Sequence, residues 1–181
     1  GAATTTGADN VAVGFNALTT NVTSANNTAV GVSALKLNTG ANNTAVGRGS
    51  LLNQGNASNN SAVGFNSLNS NLTGVDNVAV GGSSLAANSS GGSNVAVGAY
   101  ALDSNSTASY NSAVGRSALG LNSTGTRNSS FGALSLTNNS TANDNSALGY
   151  GALGTNSTGI NNVAVGSFSL NSNFSPTFVL C

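Results

Sequence analysis

Asparagine carboxamides are the chemical groups that recur most regularly in this chain. One Asn column opens each of ten copies of a repeat of the form N-x-A-V-G-x-x-A-L, as in NVAVGAYAL at 94–102. Carboxamides stacked one coil above another can both donate and accept hydrogen bonds, so we expect this column to form a structural ladder along the molecular axis. Its members are Asn10, Asn27, Asn43, Asn60, Asn77, Asn94, Asn111, Asn128, Asn145 and Asn162.

A second Asn column lies seven residues after the repeat glycine and is interrupted by Gln54. Two interpretations stay open for it. Asn followed by Ser or Thr is good turn chemistry, because both side chains bond to nearby backbone. The same residues are also N-x-S/T sequons, which would place a row of N-linked glycans along one edge. The candidate glycosylation sites in this column are Asn21, Asn71, Asn88, Asn105, Asn122, Asn139, Asn156 and Asn173.

Catalytic and metal-binding chemistry finds little support in the composition. The chain has no His, a single Cys at position 181, and four carboxylate side chains, no two of them close in sequence. Its many Ser and Thr hydroxyls therefore have no base to activate them. Asp9, Asp76 and Asp144 share one column but lie several repeats apart, which is too far for a metal site. We expect no enzyme activity, no cofactor and no metal.

The charges are few, balanced and scattered, with four basic residues against four acidic ones. A nucleic-acid partner would need a clustered basic surface, so we do not expect one. No apolar run approaches the ~20 residues that span a bilayer, and we expect no membrane insertion.

The repeat glycines recur every 17 residues, except for one step of 16 between Gly31 and Gly47. A fixed period indicates a repeat architecture, and helical-hairpin repeats need about 33–47 residues. The sequence therefore predicts an all-β fold: a parallel β-solenoid of about ten 17-residue coils, each with two short strands and two turns. We assign residues 1–170 to the solenoid and 171–181 to an apolar C-terminal tail.

Two columns of large apolar residues are expected to fill the interior. They are the Val that precedes each glycine and the Leu four residues after it, at about 1.5–3 kcal/mol per buried side chain. The Ala two residues before the glycine should point the opposite way. We interpret that Ala column as a surface approached by another chain; a tight corner within its own coil is the alternative. The glycine itself should adopt a positive φ or allow a close backbone approach.

The repeated N-x-A-V-G-x-x-A-L motif resembles the head repeats of trimeric autotransporter adhesins, and similar repeats occur in viral tail-fibre proteins. The likeness extends from Asn10 to Leu170. It implies a left-handed β-roll, a trimer and a place at the cell surface. The repeat here is longer than the family's by about three residues in the second turn, and no neck, coiled-coil stalk or anchor is visible.

The tail residues Phe178, Val179 and Leu180 are candidates for docking on a neighbouring subunit, since open solenoid ends expose unpaired backbone. Folding back over the last coil is the alternative. An incomplete first coil and this tail favour either a segment of a longer chain or head-to-tail stacking.

We therefore predict a structural or adhesive extracellular fibre, present as a homo-oligomer, either a trimer or a head-to-tail filament. Its expected partners are copies of itself and glycans or a host-surface receptor. The alternatives are a trimeric adhesin head, a viral fibre segment or, from a single Thr/Ser row, an ice-binding solenoid. That row is Thr23, Thr73, Ser90, Thr107, Thr124, Thr141, Thr158 and Ser175.

Overall fold

The computed structural model describes residues 6–171, and they form one stack of coils with no helix among them. Each coil contributes one three-residue strand. The strands are β1 (Val11–Val13), β2 (Thr28–Val30), β3 (Thr44–Val46), β4 (Ser61–Val63), β5 (Val78–Val80), β6 (Val95–Val97), β7 (Ser112–Val114), β8 (Ser129–Phe131), β9 (Ser146–Leu148) and β10 (Val163–Val165). The predicted all-β parallel solenoid is confirmed. The tail residues Phe178, Val179 and Leu180, and the sequon at Asn173, lie outside the described residues.

All ten strands belong to one sheet in which they follow sequence order and pair in parallel. The single 16-residue step does not disturb the register, because Thr28 still pairs with Thr44. The missing residue is absorbed in the second turn instead. There the side chain of Asn38 closes a shorter loop, with Nδ2 donating to the carbonyl of Gly40 at 2.8 Å.

The prediction of two strands per coil is wrong. After the glycine the chain runs through consecutive turns, although these turns still stack by backbone hydrogen bonds between coils. The Leu102 N–H, for example, donates to the Ala118 carbonyl of the next coil at 3.0 Å. The ten repeat leucines have φ between 48° and 51°, the left-handed region, which is incompatible with an extended strand.

The leucine column fills the interior, as predicted. Nine of the ten side chains, from Leu18 to Leu153, are fully buried, and Leu170 is partly buried at the end of the described stack. Left-handed backbone costs a non-glycine residue roughly 1–2 kcal/mol. Burial of a leucine gains about 1.5–3 kcal/mol. The two magnitudes show how a bulky residue is retained in this conformation.

The valine column, in contrast, lies outside, and the alanine column lies inside. Val13 is 57% exposed and Val80 is 38% exposed, whereas Ala79 and Ala96 are fully buried. Alternation along a strand allows only one of two adjacent residues to face inwards. Ala is the one enclosed, in the same core as the leucines. The interpretation of the alanines as an intermolecular contact is therefore wrong, and the corner alternative accounts for them.

The repeat glycines meet both expectations for them. Their φ values run from 123° to 138°. A Cβ on Gly98 would lie 2.5 Å from the carbonyl oxygen of Gly115 in the next coil. No side chain fits at that distance, so the glycine column sets how closely the coils stack at this corner.

Candidate functional site

The first Asn column forms the predicted ladder. These side chains are buried, apart from the partly buried Asn10 in the first coil. The Asn111 N–H donates to Oδ1 of Asn94 at 3.0 Å, and Nδ2 of Asn94 donates to the Ala108 carbonyl at 2.9 Å. The same pattern recurs in the next coil, between Asn128 and Asn111. Each carboxamide thus satisfies buried backbone groups of the following coil, which makes this column structural.

The second Asn column is buried as well. The seven described sequon asparagines, Asn21, Asn71, Asn88, Asn105, Asn122, Asn139 and Asn156, have no exposed surface. Nδ2 of Asn105 donates both to Oδ1 of Asn88 at 2.9 Å and to the Ala108 carbonyl at 3.0 Å. A glycan would have to be bonded to this enclosed nitrogen. The geometry argues against glycans here in the folded chain, and the turn-chemistry interpretation accounts for the column.

Other sequons do present their asparagines to solvent, and these offer a better location for any glycan. They are Asn26, Asn42, Asn56, Asn59 and Asn138. Three of them, Asn26, Asn42 and Asn59, form an outer ladder that ends on Asp76, with Nδ2 to Oδ1 distances of 3.1–3.2 Å.

Gln54 is the one irregularity in the inner ladder. Its Nε2 donates to the Ala57 carbonyl at 2.6 Å, as its Asn counterparts do in their own coils. The longer side chain leaves Oε1 without a hydrogen-bond partner, the sole such buried side-chain atom within residues 6–171. An unpaired buried acceptor costs about 1–3 kcal/mol, so this coil is a weak point of the stack.

The outer face of the sheet is uncharged along the whole described stack, and one of its two outward columns is apolar in every strand. Its two outward columns hold Val, Thr and Ser, together with Phe131 and Leu148. Many of the large members are exposed, among them Val11, Val46, Val63 and Val165. A continuous row of exposed apolar side chains of this kind indicates an interaction site. The sequence pattern does not reveal this surface, because it predicts that the valines lie in the core.

In some coils an exposed aromatic residue borders this sheet face at the corner after the glycine, as Phe15, Phe65 and Tyr150 do, whereas Arg48 and Arg116 occupy the same column in others. The guanidinium of Arg48 lies 5.6 Å from the ring centroid of Phe65. Tyr150 and Phe168 form an edge-to-face pair with centroids 5.1 Å apart. The aromatic rings add apolar area next to the sheet face, while Arg48 adds a positive charge there.

Two shallow grooves lie on the side of the coil that follows the aromatic corner, and Asp103 borders both. One has a volume of 420 Å³ and is lined by polar side chains that include Asn66, Asn69 and Ser83. The other, of 300 Å³, is lined by Tyr100, Ser117, Gly120, Leu121 and Thr137. Partial burial raises the pKa of the Asp103 carboxyl.

The remaining charges form no site. The ion pair between Arg127 and Asp144, at 2.7 Å, is the one found within the described part of the chain. Hydrogen bonding to Arg127 lowers the pKa of the Asp144 carboxyl. Among residues 6–171, no three His, Cys, Asp or Glu side chains lie close enough to hold a metal ion. The predicted Thr/Ser row is exposed along its described length, from Thr23 to Thr158.

Comparison with known proteins does not assign this chain to a family. The sequence matches no protein-family model, and neither a curated protein nor a solved structure matched it. The resemblance to autotransporter heads therefore stands on the repeat motif alone. Within the described chain there is no helix long and apolar enough to cross a membrane.

Proposed function

We propose that this chain is a structural and adhesive component of an extracellular fibre, and that it self-associates through the valine-rich outer face of its sheet. The observation that carries this proposal is the uncharged outer face, in which one column is apolar in all ten strands. Single exposed apolar residues are ordinary on protein surfaces, but a continuous row of them is typical of an interface.

The area of the outer sheet face can be compared with the area that a stable protein interface needs. Nine steps of about 4.8 Å and a width of about 10 Å give roughly 400 Å² in projection. A standard interface takes about 800 Å² from each partner. The strands alone are thus too small, and the adjoining corner column, which holds Phe15 and Phe65 but also Arg48 and Arg116, is needed to complete the contact.

The fold also supports a mechanical role. Every strand pairs with its sequence neighbours, and both Asn columns hydrogen-bond along the stack. At each interface between adjacent coils, a force applied along the stack would be shared by several backbone and carboxamide hydrogen bonds acting in parallel. A solenoid of this type suits a spacer or fibre segment.

Native mass measurement combined with electron microscopy tests the proposal. We expect a multiple of the 17.4 kDa chain mass, and rods or filaments in the images. The double variant Val46→Lys/Val80→Lys places two charges on the sheet face and should dissociate the assembly. Immunogold labelling of intact source cells or particles tests the outer location.

The matched control is Thr73→Lys/Thr107→Lys, which adds the same charges to an exposed row of the second turn, with the same spacing of two coils. It should keep the wild-type mass. A monomeric wild-type chain at micromolar concentration would refute self-association. An assembly that survives the valine variant would place the interface elsewhere.

A further inference from the structure

We infer that the two grooves beside Asp103 form a binding site for a neutral saccharide, with Asp103 as the central hydrogen-bond acceptor and Tyr100 as the stacking platform. The inference rests on the proposed adhesive role in that it supplies a ligand class for it. None of its lining residues belongs to the strands or to the corner column of Phe15 and Phe65 that the proposed self-association uses.

Asp103 differs from the other three carboxylates of the chain. Asp144 is bonded to Arg127, Asp76 accepts from Asn59, and Asp9 is exposed in the first coil. The Asp103 carboxylate is partly buried and has neither a hydrogen-bond donor nor a counter-charge within the described residues. A partly desolvated acceptor of this kind gains most from a ligand that donates hydroxyl hydrogen bonds.

The residues around Asp103 supply the other contacts that a sugar needs. Tyr100 is 49% exposed in the groove on one side, where Leu121 adds a further apolar surface. On the other side Asn69 uses Nδ2 to bind the Gly49 carbonyl at 3.0 Å, and Asn66 lines the same groove. Apolar surface combined with a few well-placed polar groups is the usual lining of a small-ligand site. A pyranose ring offers both a C–H face and hydroxyl groups.

The grooves exist because the coils before and after that of Asp103 carry small side chains. Ser83 and Ala86 in one groove, and Ser117 and Gly120 in the other, stand in the same columns as Tyr100 and Asp103. Asp103 therefore forms a ridge between two depressions, and consecutive rings of an oligosaccharide could occupy both. With a carboxylate at the centre and no basic residue in either lining, the site disfavours acidic sugars.

The other possible ligands are less well matched. A metal ion needs several oxygen ligands with more than one carboxylate, and Asp103 has no acidic neighbour in either groove. A lysine-rich peptide could pair with Asp103, but it would leave the face of Tyr100 without a defined role. Both become outcomes of the test.

The test is binding of the labelled full chain to an array of neutral and acidic oligosaccharides, followed by titration calorimetry on the strongest neutral ligand. Asp103→Asn and Tyr100→Asn should each weaken that binding by about tenfold or more. Asn is chosen for both positions because it preserves the shape of Asp103 and tolerates the φ of 60° at Tyr100.

The chain offers close controls for both variants. Tyr110 is an exposed tyrosine with φ of 63° on another corner, and Asp76 is an exposed carboxylate. Tyr110→Asn and Asp76→Asn should bind saccharide as the wild type does. Circular dichroism melting curves verify that all four variants fold.

Several results would overturn the inference. One is that the wild-type chain does not bind any neutral saccharide on the array, and another is that the Asp103 and Tyr100 variants bind it as tightly as the wild type does. Specific binding of Ca²⁺ or of oligolysine in place of sugar would also contradict the inference. Native mass of the same samples separates this outcome from the proposed function. If the chain is an oligomer but does not bind saccharide, only the saccharide site is refuted. If it is a monomer that binds saccharide, only self-association is refuted.

Discussion

The leucine side and the asparagine side of the coil interior are equally buried, but they stabilise the stack in different ways. Leucines pack with alanines in one continuous apolar cluster, in which contact is non-directional. Asparagines satisfy buried backbone and side-chain groups of adjacent coils with defined geometry. Apolar packing supplies free energy of burial, while the carboxamides fix the spacing and register of one coil upon the next. A chain with few large side chains can therefore still have a well-ordered interior.

The largest effect is expected where the asparagine side acquires a charge. Asn111→Asp would bury a carboxylate without a counter-charge, at about 3–5 kcal/mol near pH 7. The folded-state pKa of this carboxyl would rise above its unfolded value of about 3.9. Stability should then be regained at low pH and lost as pH increases through the raised pKa. Thermal melts between pH 3 and pH 8 measure this.

The exposed Asn161 provides the control for that variant, because Asn161→Asp adds the same charge in solvent. Its melting temperature should follow that of the wild type at every pH. Equal losses in the two variants would mean that the asparagine side is not enclosed.

Removing packing from the leucine side should be nearly as costly but should not depend on pH. Leu102→Ala deletes a fully buried side chain and is expected to cost about 2–5 kcal/mol in unfolding free energy. Urea denaturation measures the loss. Leu121→Ala, at an exposed leucine, should change it by less than about 0.5 kcal/mol. A small effect at Leu102 would contradict the assignment of the leucine column to the core.

Repairing the irregular coil should strengthen the asparagine side. Gln54→Asn restores the carboxamide length of the column and removes the unpaired Oε1. We expect about 1 kcal/mol of added stability, visible as a higher melting temperature. Gln54→Leu removes the unpaired acceptor but also the bond to Ala57, so it should be less stable than Gln54→Asn. If Gln54→Leu is instead the more stable variant, the ladder contributes little at this coil.

The smallest effect is expected from the ion pair between Arg127 and Asp144, which lies on the surface of the stack. The lowered pKa of Asp144 means that its pairing with Arg127 contributes above the ordinary carboxyl pKa and is lost as pH falls through the lowered value. Both side chains are solvent-exposed enough that Arg127→Ala should leave the melting temperature unchanged within error at pH 7. A clear destabilisation would show that exposed side-chain contacts between coils also contribute to stability.

Most of the fold followed from the repeat period and the chemistry of its columns. The regular glycines predicted the coil, and the leucines and the first Asn column lie where the pattern placed them. The pattern did not decide which of Ala79 and Val80 faces inwards, because alternation states only that neighbours oppose each other. Assigning the larger residue to the core gave the wrong answer, since the alanine methyl is what the leucine-filled interior encloses.

The candidate surfaces were harder to foresee. The outer sheet face became visible only once the valines were placed outside, and the sequons drew attention to carboxamides that are buried. Asp103 stands in a variable column and has no charged neighbour in sequence. Its position between two grooves depends on the small residues one coil away, a relation that appears only after the coils are stacked.

The left-handed backbone of the ten leucines has a consequence for how short such a protein can be. Each coil carries its own left-handed leucine, but the contacts that offset this strain lie between coils, so n coils have only n − 1 such interfaces. A single excised repeat would have strain without any compensating contact. Truncated versions should therefore lose their structure abruptly below a threshold number of repeats, while the addition of further 17-residue units should lengthen the rod at little risk to its order.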